Sequence, residues 1–355
     1  MAKIPARLEN HPSVRAVRER PAAGAAQVID AGWLRKLCLD AGVDDVGFVS
    51  IDHPELASEV DHAKNALPGT RSYISLVARM NRDNVRSPAR SVANQEFHRT
   101  GELLNEAAHS IVRALEDAGH RAINPSATFP MEMGQYPGRI WVIAHKPIAV
   151  AAGMGAMGIH RNVIHPRYGN FILLGTILVD AEISEHGEKL DYNPCLECKL
   201  CVAACPVGAI SKDGVLDWVA CSTHNYREFM GGFTEWVETI ADSKDGAEFR
   251  DRVTDSENAS MWQSLSFKPN YKAAYCLAVC PAGEDVIAPY LDDRREFMNT
   301  VLKPLQDKVE PIYVLAGSEA KEHVEKRFPH KRTVEVTGGR RRAAGTGDRA
   351  DESGR

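Results

Sequence analysis

Cys195-Leu196-Glu197-Cys198-Lys199-Leu200-Cys201-Val202-Ala203-Ala204-Cys205-Pro206 is the stretch that leaves the least chemical choice. Three cysteines at intervals of three, then a fourth four residues later followed by proline, form the bacterial run whose thiolates ligate a [4Fe-4S] cube. In such runs the first three cysteines clamp one cluster and the fourth turns to a second, so the run predicts a partner. The partner is Cys276-Leu277-Ala278-Val279-Cys280-Pro281, which repeats the C-x3-C-P ending. By the crossing rule, Cys195, Cys198, Cys201 and Cys280 hold the first cluster, while Cys205 and Cys276 belong to the second. Cys221, the only other cysteine between the motifs, is its natural third ligand. A fourth thiolate would sit three residues before Cys276, where the chain carries Ala273. Either the second cluster is a [3Fe-4S] species, or its last iron takes another ligand. His224 of Cys221-Ser222-Thr223-His224 is the nearest candidate, since histidine replaces cysteine in some iron-sulfur centres.

A structural zinc site closes with four ligands, usually as two separated pairs, and fits seven cysteines with two Cys-Pro endings poorly. A disulfide framework is disfavoured by chain length and the lack of an export signal. Cys38, the eighth cysteine, lies in an apolar helical pattern and reads as a core residue. With 355 residues, 44% hydrophobic and 26% charged, the chain can bury an ordinary core. A net charge of -5 argues against a general nucleic-acid binder. No apolar run reaches the roughly 18 residues that a membrane helix needs. These features and the oxygen-sensitive clusters point to the cytoplasm.

Residues 1–27 are polar and aperiodic, and read as a mobile arm or a strap. Asp30 is a candidate N-cap for a helix carrying Trp33, Leu34, Leu37, Cys38 and Ala41. Val46 to Ile51 reads as a strand, Glu55 to Ala66 as a helix and Arg71 to Val77 as a buried strand. A long helix from Asn94 to Ala118 shows a stripe of Leu103, Ala107, Ile111, Val112 and Leu115. Pro125 to Arg139 has loop composition, and a structureless loop of that length is usually functional. Gly153, Gly155 and Gly158 spell G-x-G-x-x-G, but they follow a helix-like stretch rather than a strand. The dinucleotide reading therefore fails its context test. The glycines do require close backbone packing against another element or a flat cofactor.

The order of Leu67-Pro68-Gly69-Thr70-Arg71-Ser72, Phe97-His98, Ala149 with Gly153-Met154-Gly155 and Gly158, Tyr168-Gly169 and the two cysteine motifs resembles the epoxyqueuosine reductase and reductive dehalogenase superfamily. The likeness covers most of residues 30 to 300. It implies a mixed α/β (α+β) chain: a nitroreductase-like domain over 28–185 that binds base-off cobalamin, fused to a two-cluster bacterial ferredoxin-like module over 186–300. It implies that Gly153, Gly155, Gly158, Asn162, Tyr168, Gly169 and Asn170 border the cofactor and that no histidine ligates the cobalt. The chain departs from epoxyqueuosine reductases where they carry an Asp-[Ser/Thr]-Ala-Pro segment with a catalytic aspartate; here the residues are Asn124-Pro125-Ser126-Ala127. Ala156 stands where those enzymes tend to have tryptophan, and their C-terminal helical repeat domain is not found. The glycine stretch followed by Tyr168-Gly169 looks closer to the dehalogenase side, without the twin-arginine signal of respiratory dehalogenases.

Clusters are one-electron wires, so two in one chain suggest relay from an external donor of ferredoxin or flavodoxin type to an inner acceptor. Cobalamin is that acceptor by resemblance, with flavin as the physical alternative. Reductive cleavage of a small organic substrate needs a proton donor. Tyr136, His145, Lys146, His160 and Arg161 are the candidates, each with a duller role in packing, turn bracing or ion pairing. The leading expectation is a cobalamin-dependent, dehalogenase-like reductase. The alternatives are an epoxyqueuosine reductase-like enzyme acting on tRNA, an iron-sulfur flavoenzyme, and a non-catalytic electron carrier or cobalamin reductase. Residues 230–267 form an insertion between ligands of the second cluster, a candidate cover for the active site or docking face for the donor. Residues 301–336 read as a strand-helix-strand appendix. Residues 337–355 read as a disordered tail, and Arg340-Arg341-Arg342 within it as solvated rather than nucleic-acid binding.

Overall fold

The computed structural model describes residues 5–19, 28–135, 138–272 and 274–337. Tyr136, Ala273, the tail beyond Thr337 and residues 1–4 and 20–27 of the arm lie outside the described residues. Within the arm, Pro12–Glu19 forms a helix with no buried residue. The described chain is mixed α/β and falls into two compact units that interleave in sequence. One comprises Met1–Val77, Leu104–Ala152 and Leu174–Glu188; the other comprises Ala78–Leu103, Gly153–Leu173 and Lys189–Arg355.

The first unit holds a four-stranded sheet in the order Asp45–Ser50, Ser72–Arg79, Ile172–Val179, Ala122–Ile123. Asp45–Ser50 runs antiparallel to its neighbour, with Phe48 opposite Ile74, and Ala122 pairs with Val179. Ser72–Arg79 is buried at every residue but the last, because it lies inside the sheet and is covered on both faces. Asp30 caps the helix Ala31–Asp40 through Oδ1, which accepts the Trp33 N–H at 2.7 Å, and Leu34 and Cys38 face the core. The expected helix over Glu55 to Ala66 is split into a 3-10 turn, Pro54–Glu59, and an α-helix, Val60–Ala66.

The long helix runs Arg90–Asp117, and its buried stripe in this unit is Leu104, Ala107, Ala108, Ile111, Val112 and Leu115. Leu103, expected on that stripe, is 48% exposed, while Leu104 is 1% exposed. A period of 3.6 places Leu104 in line with residues 107, 108 and 111 and swings Leu103 off the face. Gly175 makes room for that face: a side chain there would meet Leu104 at 3.3 Å.

The second unit contains both cysteine motifs. Each contains a short helix, Leu200–Ala204 and Tyr275–Ala278, and these two helices lie against one another. Between them run the helices Trp218–Asn225, Gly231–Asp242, Gly246–Arg252 and Asp255–Phe267. The guanidinium of Arg227, 5% exposed and just past the first of these helices, ties the second and the fourth together by pairing with Glu235 (2.6 Å) and Glu257 (2.6 Å). Pro311–Leu315 and Arg332–Val336 pair in parallel, with Glu319–Arg327 as the connecting helix. Tyr275 donates its hydroxyl to Glu310 beside this pair, and Lys308 and Lys331 compensate the carboxylate.

Candidate iron-sulfur and cofactor site

Cys195, Cys198, Cys201 and Cys280 line one pocket together with Ile159, His160, Leu196, Lys199, Pro281 and Ala282. Separated by up to 85 positions in sequence, these are the four thiols that the crossing rule assigns to the first cluster. Glu197 (φ 48) and Lys199 (φ 61) adopt left-handed conformations between the cysteines. Alternating right- and left-handed residues turn successive N–H groups to one side, the concavity that holds anionic iron-sulfur centres. Burial pushes the Cys201 thiol up to about 12 and raises Cys198 and Cys280 as well, with the neighbouring thiols adding to the shift. Such groups stay protonated as free thiols and give up their protons to a metal. Among the described residues no three His, Cys, Asp or Glu side chains converge to hold a single ion.

Cys205, Cys221 and Cys276 belong to the hydrophobic core around the two motif helices. Burial raises the Cys205 thiol, and backbone N–H groups of the following turn oppose the shift; that of Ala209 donates to Sγ at 3.3 Å. Asn162, expected at the cofactor, has Nδ2 4.0 Å from Cys276 Sγ. His224 is 1% exposed in the helix Trp218–Asn225, one turn beyond Cys221. Its Nδ1 accepts the Tyr313 N–H at 3.3 Å, while Nε2 is buried without a partner. Burial pushes its pKa down to about 3, so the ring is neutral.

The glycine stretch serves protein packing. Gly153 (φ 77) follows the helix His145–Ala151 in the left-handed position that ends helices. A side chain on Gly155 would meet the Ile164 carbonyl at 2.5 Å, so the hairpin Ala156–Met157 with Val163–Ile164 closes only over glycine. Gly158 lies against the His160 ring and Ile164. Gly169 (φ 64) is closer still: a side chain there would reach the Ala282 carbonyl at 2.1 Å, and Gly283 stands against the Gly169 backbone in return. The turn Tyr168-Gly169-Asn170 is thereby locked to the segment that carries Cys280. Tyr168 stacks on His165 at 4.8 Å, with the Arg79 and Arg167 guanidinium groups over its ring.

His160 lies on the wall of the cysteine pocket. Its Nδ1 accepts the Asn162 N–H at 3.1 Å, so Nε2 carries the ring proton. Nε2 is 3.1 Å from the Asn170 side-chain amide. A ring N–H facing an amide requires the amide oxygen, so Asn170, 1% exposed, presents its oxygen to His160 and turns its NH2 to the opposite side.

Of the other expected proton donors, His145 has both ring nitrogens engaged. Nε2–H donates to the Ser126 carbonyl at 3.2 Å, and Nδ1 accepts from the Thr176 hydroxyl at 2.9 Å. Burial lowers its pKa, which keeps it neutral. Lys146 is exposed on the same helix, and Arg161 (φ 60) occupies the turn closed by its N–H to the Gly158 carbonyl. The structure therefore puts His145 and Lys146 in the first unit and His160 and Arg161 in the second. Tyr136 lies outside the described residues.

Sequence reasoning missed Arg86 and Glu59. Arg86 sits between the rings of Phe171 (5.1 Å) and Phe297 (5.3 Å) and donates Nε–H to the Ala278 carbonyl at 3.1 Å. Burial pushes its pKa down to about 10, with Arg82 adding to the fall; Cys280 is among the groups that favour its charge. Glu59 holds Arg139 at 2.5 Å and accepts the Ala144 N–H at 2.9 Å, which pins the end of the long loop. No motif marks either residue. An arginine in a polar run and a glutamate in a helix are ordinary by composition.

Residues 188–211 match the 4Fe-4S binding domain family. The epoxyqueuosine reductase of Vibrio cholerae is 32% identical over 89 residues, 25% of this chain and 24% of that protein. The one of Gloeobacter violaceus is 28% identical over 191 residues, 52% of this chain and 54% of that protein. A reductive dehalogenase structure, described with a mechanism for B12-dependent dehalogenation, is 14% identical with a TM-score of 0.45, covering 77% of this chain and 37% of that one. The chain spans between about a quarter and about half of the curated relatives it matches. The resemblance carried by the motifs is thus found again in the relatives.

Proposed function

We propose that this chain is an iron-sulfur oxidoreductase that passes electrons from an external ferredoxin- or flavodoxin-type donor to a bound cobalamin, for reductive cleavage of a small organic substrate. The observation that carries this reading is the lock between Tyr168-Gly169-Asn170 and the Cys280 segment, where Gly169 and Ala282 meet backbone to backbone. The residues that the family resemblance puts beside the cofactor thereby adjoin the thiols assigned to the first cluster.

Cys195, Cys198, Cys201 and Cys280 suit the four corners of one cube, and Cys205, Cys221 and Cys276 suit a second cluster on the donor side. Asn170, aimed by His160, would offer its NH2 to an oxygen of the cofactor's amide-bearing rim. When bound, the cofactor would supply electron-pair chemistry at cobalt for breaking a C–O or carbon–halogen bond. His145 holds the Pro125–Arg139 loop to the sheet through Ser126 and Thr176. That role makes it a positioning residue, since neither nitrogen is free to move a proton.

Anaerobic reconstitution with iron, sulfide and hydroxocobalamin tests the proposal. About one cobalt retained per chain is expected, with Asn170→Ala losing cobalt at unchanged iron. Full iron loading with no cobalt retained would refute cobalamin and send the search to flavin.

A second reading is favoured by the names of the curated relatives: reduction of epoxyqueuosine in a tRNA. Against it, the segment Asn124-Pro125-Ser126-Ala127 carries no carboxylate. Its serine instead donates to the Phe129 carbonyl at 2.6 Å. Turnover of an epoxyqueuosine-bearing stem-loop, set against halogenated aromatics, separates the two.

A further inference from the structure

From the His224 hydrogen bond we infer that Cys205, Cys221 and Cys276 are the whole protein ligand set of the second cluster, so that one of its corners carries no side chain. This rests on the two-cluster reading. His224 is the residue that sequence spacing offers for the vacant place, and its own partner removes it. The Tyr313 N–H, in the buried strand Pro311–Leu315, points at His224 Nδ1 from 3.3 Å. A nitrogen that accepts a hydrogen bond holds its lone pair there and carries no proton. In a neutral imidazole the proton then resides on Nε2, which has no lone pair left to give to iron. Turning the ring over offers no escape, because it would aim a carbon at the Tyr313 N–H and leave that buried donor unsatisfied.

The ligating arrangement of histidine is the reverse, with Nδ1–H donating to a carbonyl or carboxylate and Nε2 on the metal. His224 is therefore an N–H donor. Its Nε2 is buried without a protein acceptor. It lies three residues beyond Cys221 on one helix, a spacing that places both on one face. That geometry suits a hydrogen bond to cluster sulfur, which would tune the cluster without completing it.

Among the described residues, His323 is another imidazole near these cysteines. Its ring covers Gly208, where a side chain would meet it at 2.8 Å, and it bonds to the main chain of Cys205. Its Nδ1 edge faces that turn and donates to the Cys205 carbonyl, so Nε2, buried without a protein partner, lies on the far edge of the ring and is aimed away from the turn; it is a competing donor, and its variant belongs in the test. Position 273 is alanine and supplies no donor atom.

An uncoordinated corner makes the cluster labile in a defined way. With ferricyanide as oxidant and a chelator as iron acceptor, the four-iron form loses one electron and one Fe(II), leaving the three-iron form. The experiment compares the reconstituted full-length chain with Ala273→Cys, His224→Gln and His323→Gln, reading iron content and EPR. Expected for the unaltered protein is release of about one iron per chain with the isotropic signal of a three-iron cluster, reversed by added Fe(II). Both histidine variants should behave the same, while Ala273→Cys should retain the iron and lose the signal.

A native protein that resists oxidation would overturn the inference, as would a corner made labile only by His224→Gln or His323→Gln. Should His224→Gln fail to fold, the native protein and Ala273→Cys still decide between the outcomes. Iron for a single cluster in every variant would instead bring down the two-cluster reading itself.

Discussion

Gly169 and Arg86 each hold the Cys280 segment in a way that a single substitution exposes. Gly169→Ala places a methyl group where the Ala282 carbonyl already stands and forces a left-handed φ of 64 on alanine. The Cys280 loop must move, so the variant should lose the first cluster's iron while the iron assigned to Cys205, Cys221 and Cys276 survives. Iron analysis with EPR reads this directly, and full loading would show that the close approach is dispensable. Arg86→Met removes a positive charge near Cys280. Less positive surroundings favour the oxidised cluster, so its reduction potential should fall, where about 59 mV is a tenfold change for one electron. An unchanged or raised potential in spectroelectrochemistry would contradict that placement.

That Cys195, Cys198, Cys201 and Cys280 come together was legible in the sequence because thiolate spacing leaves few alternatives. The role of His160 was not, since it depends on Asn162, on Asn170 and on a cysteine wall that begins 35 residues later.

At the scale of elements, the long loop from Pro125 is held at both ends. His145 and Asn105 fix its start, the latter accepting the Ala127 N–H at 3.1 Å, and Glu59 fixes Arg139. Burial alone would raise the Glu59 carboxyl, but the Arg139 and Ala144 bonds outweigh it and hold the pKa below the usual range. Its folded pKa is lowered, so this stability is present above the unfolded value of about 4.3 and is lost as pH falls through the folded value. Glu59→Gln should cost about 1–3 kcal/mol, the penalty for leaving buried partners unsatisfied. It should also flatten the acid limb of urea stability below about pH 5. A variant as stable as the native chain at neutral pH would argue that the loop is held elsewhere.

The helices of this unit were readable from their apolar period, and the one-residue error at Leu103 shows the limit of the method. Two adjacent leucines satisfy a stripe about equally well, and only the sheet beneath selects Leu104. Glu59 and Arg139, 80 positions apart, leave no such trace.

Across the whole molecule, the two motif helices and the residues 230–267 between them show how cysteines far apart in sequence are brought together. Arg227 is the tie, buried with Glu235 and Glu257 and lying 4.9 Å from the Tyr313 ring. Glu257→Gln strands part of that charge, and breaking a buried pair of this kind costs about 3–5 kcal/mol. The variant should therefore lower the midpoint of urea unfolding, whereas an unchanged midpoint would show that the insertion helices are held independently of Arg227. A trimmed insertion used to test donor docking must spare Glu257 for the same reason.

The mixed α/β class and the cysteines that share a pocket followed from local pattern. The acceptor did not, because Tyr168 to Asn170, the residues proposed to border it, are defined by a turn and by packing on Ala282 rather than by a motif. The most direct measurement is cobalt and iron content of the anaerobically reconstituted chain after desalting from hydroxocobalamin, with EPR before and after reduction. The account predicts about one cobalt per chain, a base-off Co(II) signal and reduction of cobalt through the clusters. Iron at full loading with cobalt lost on desalting would contradict it.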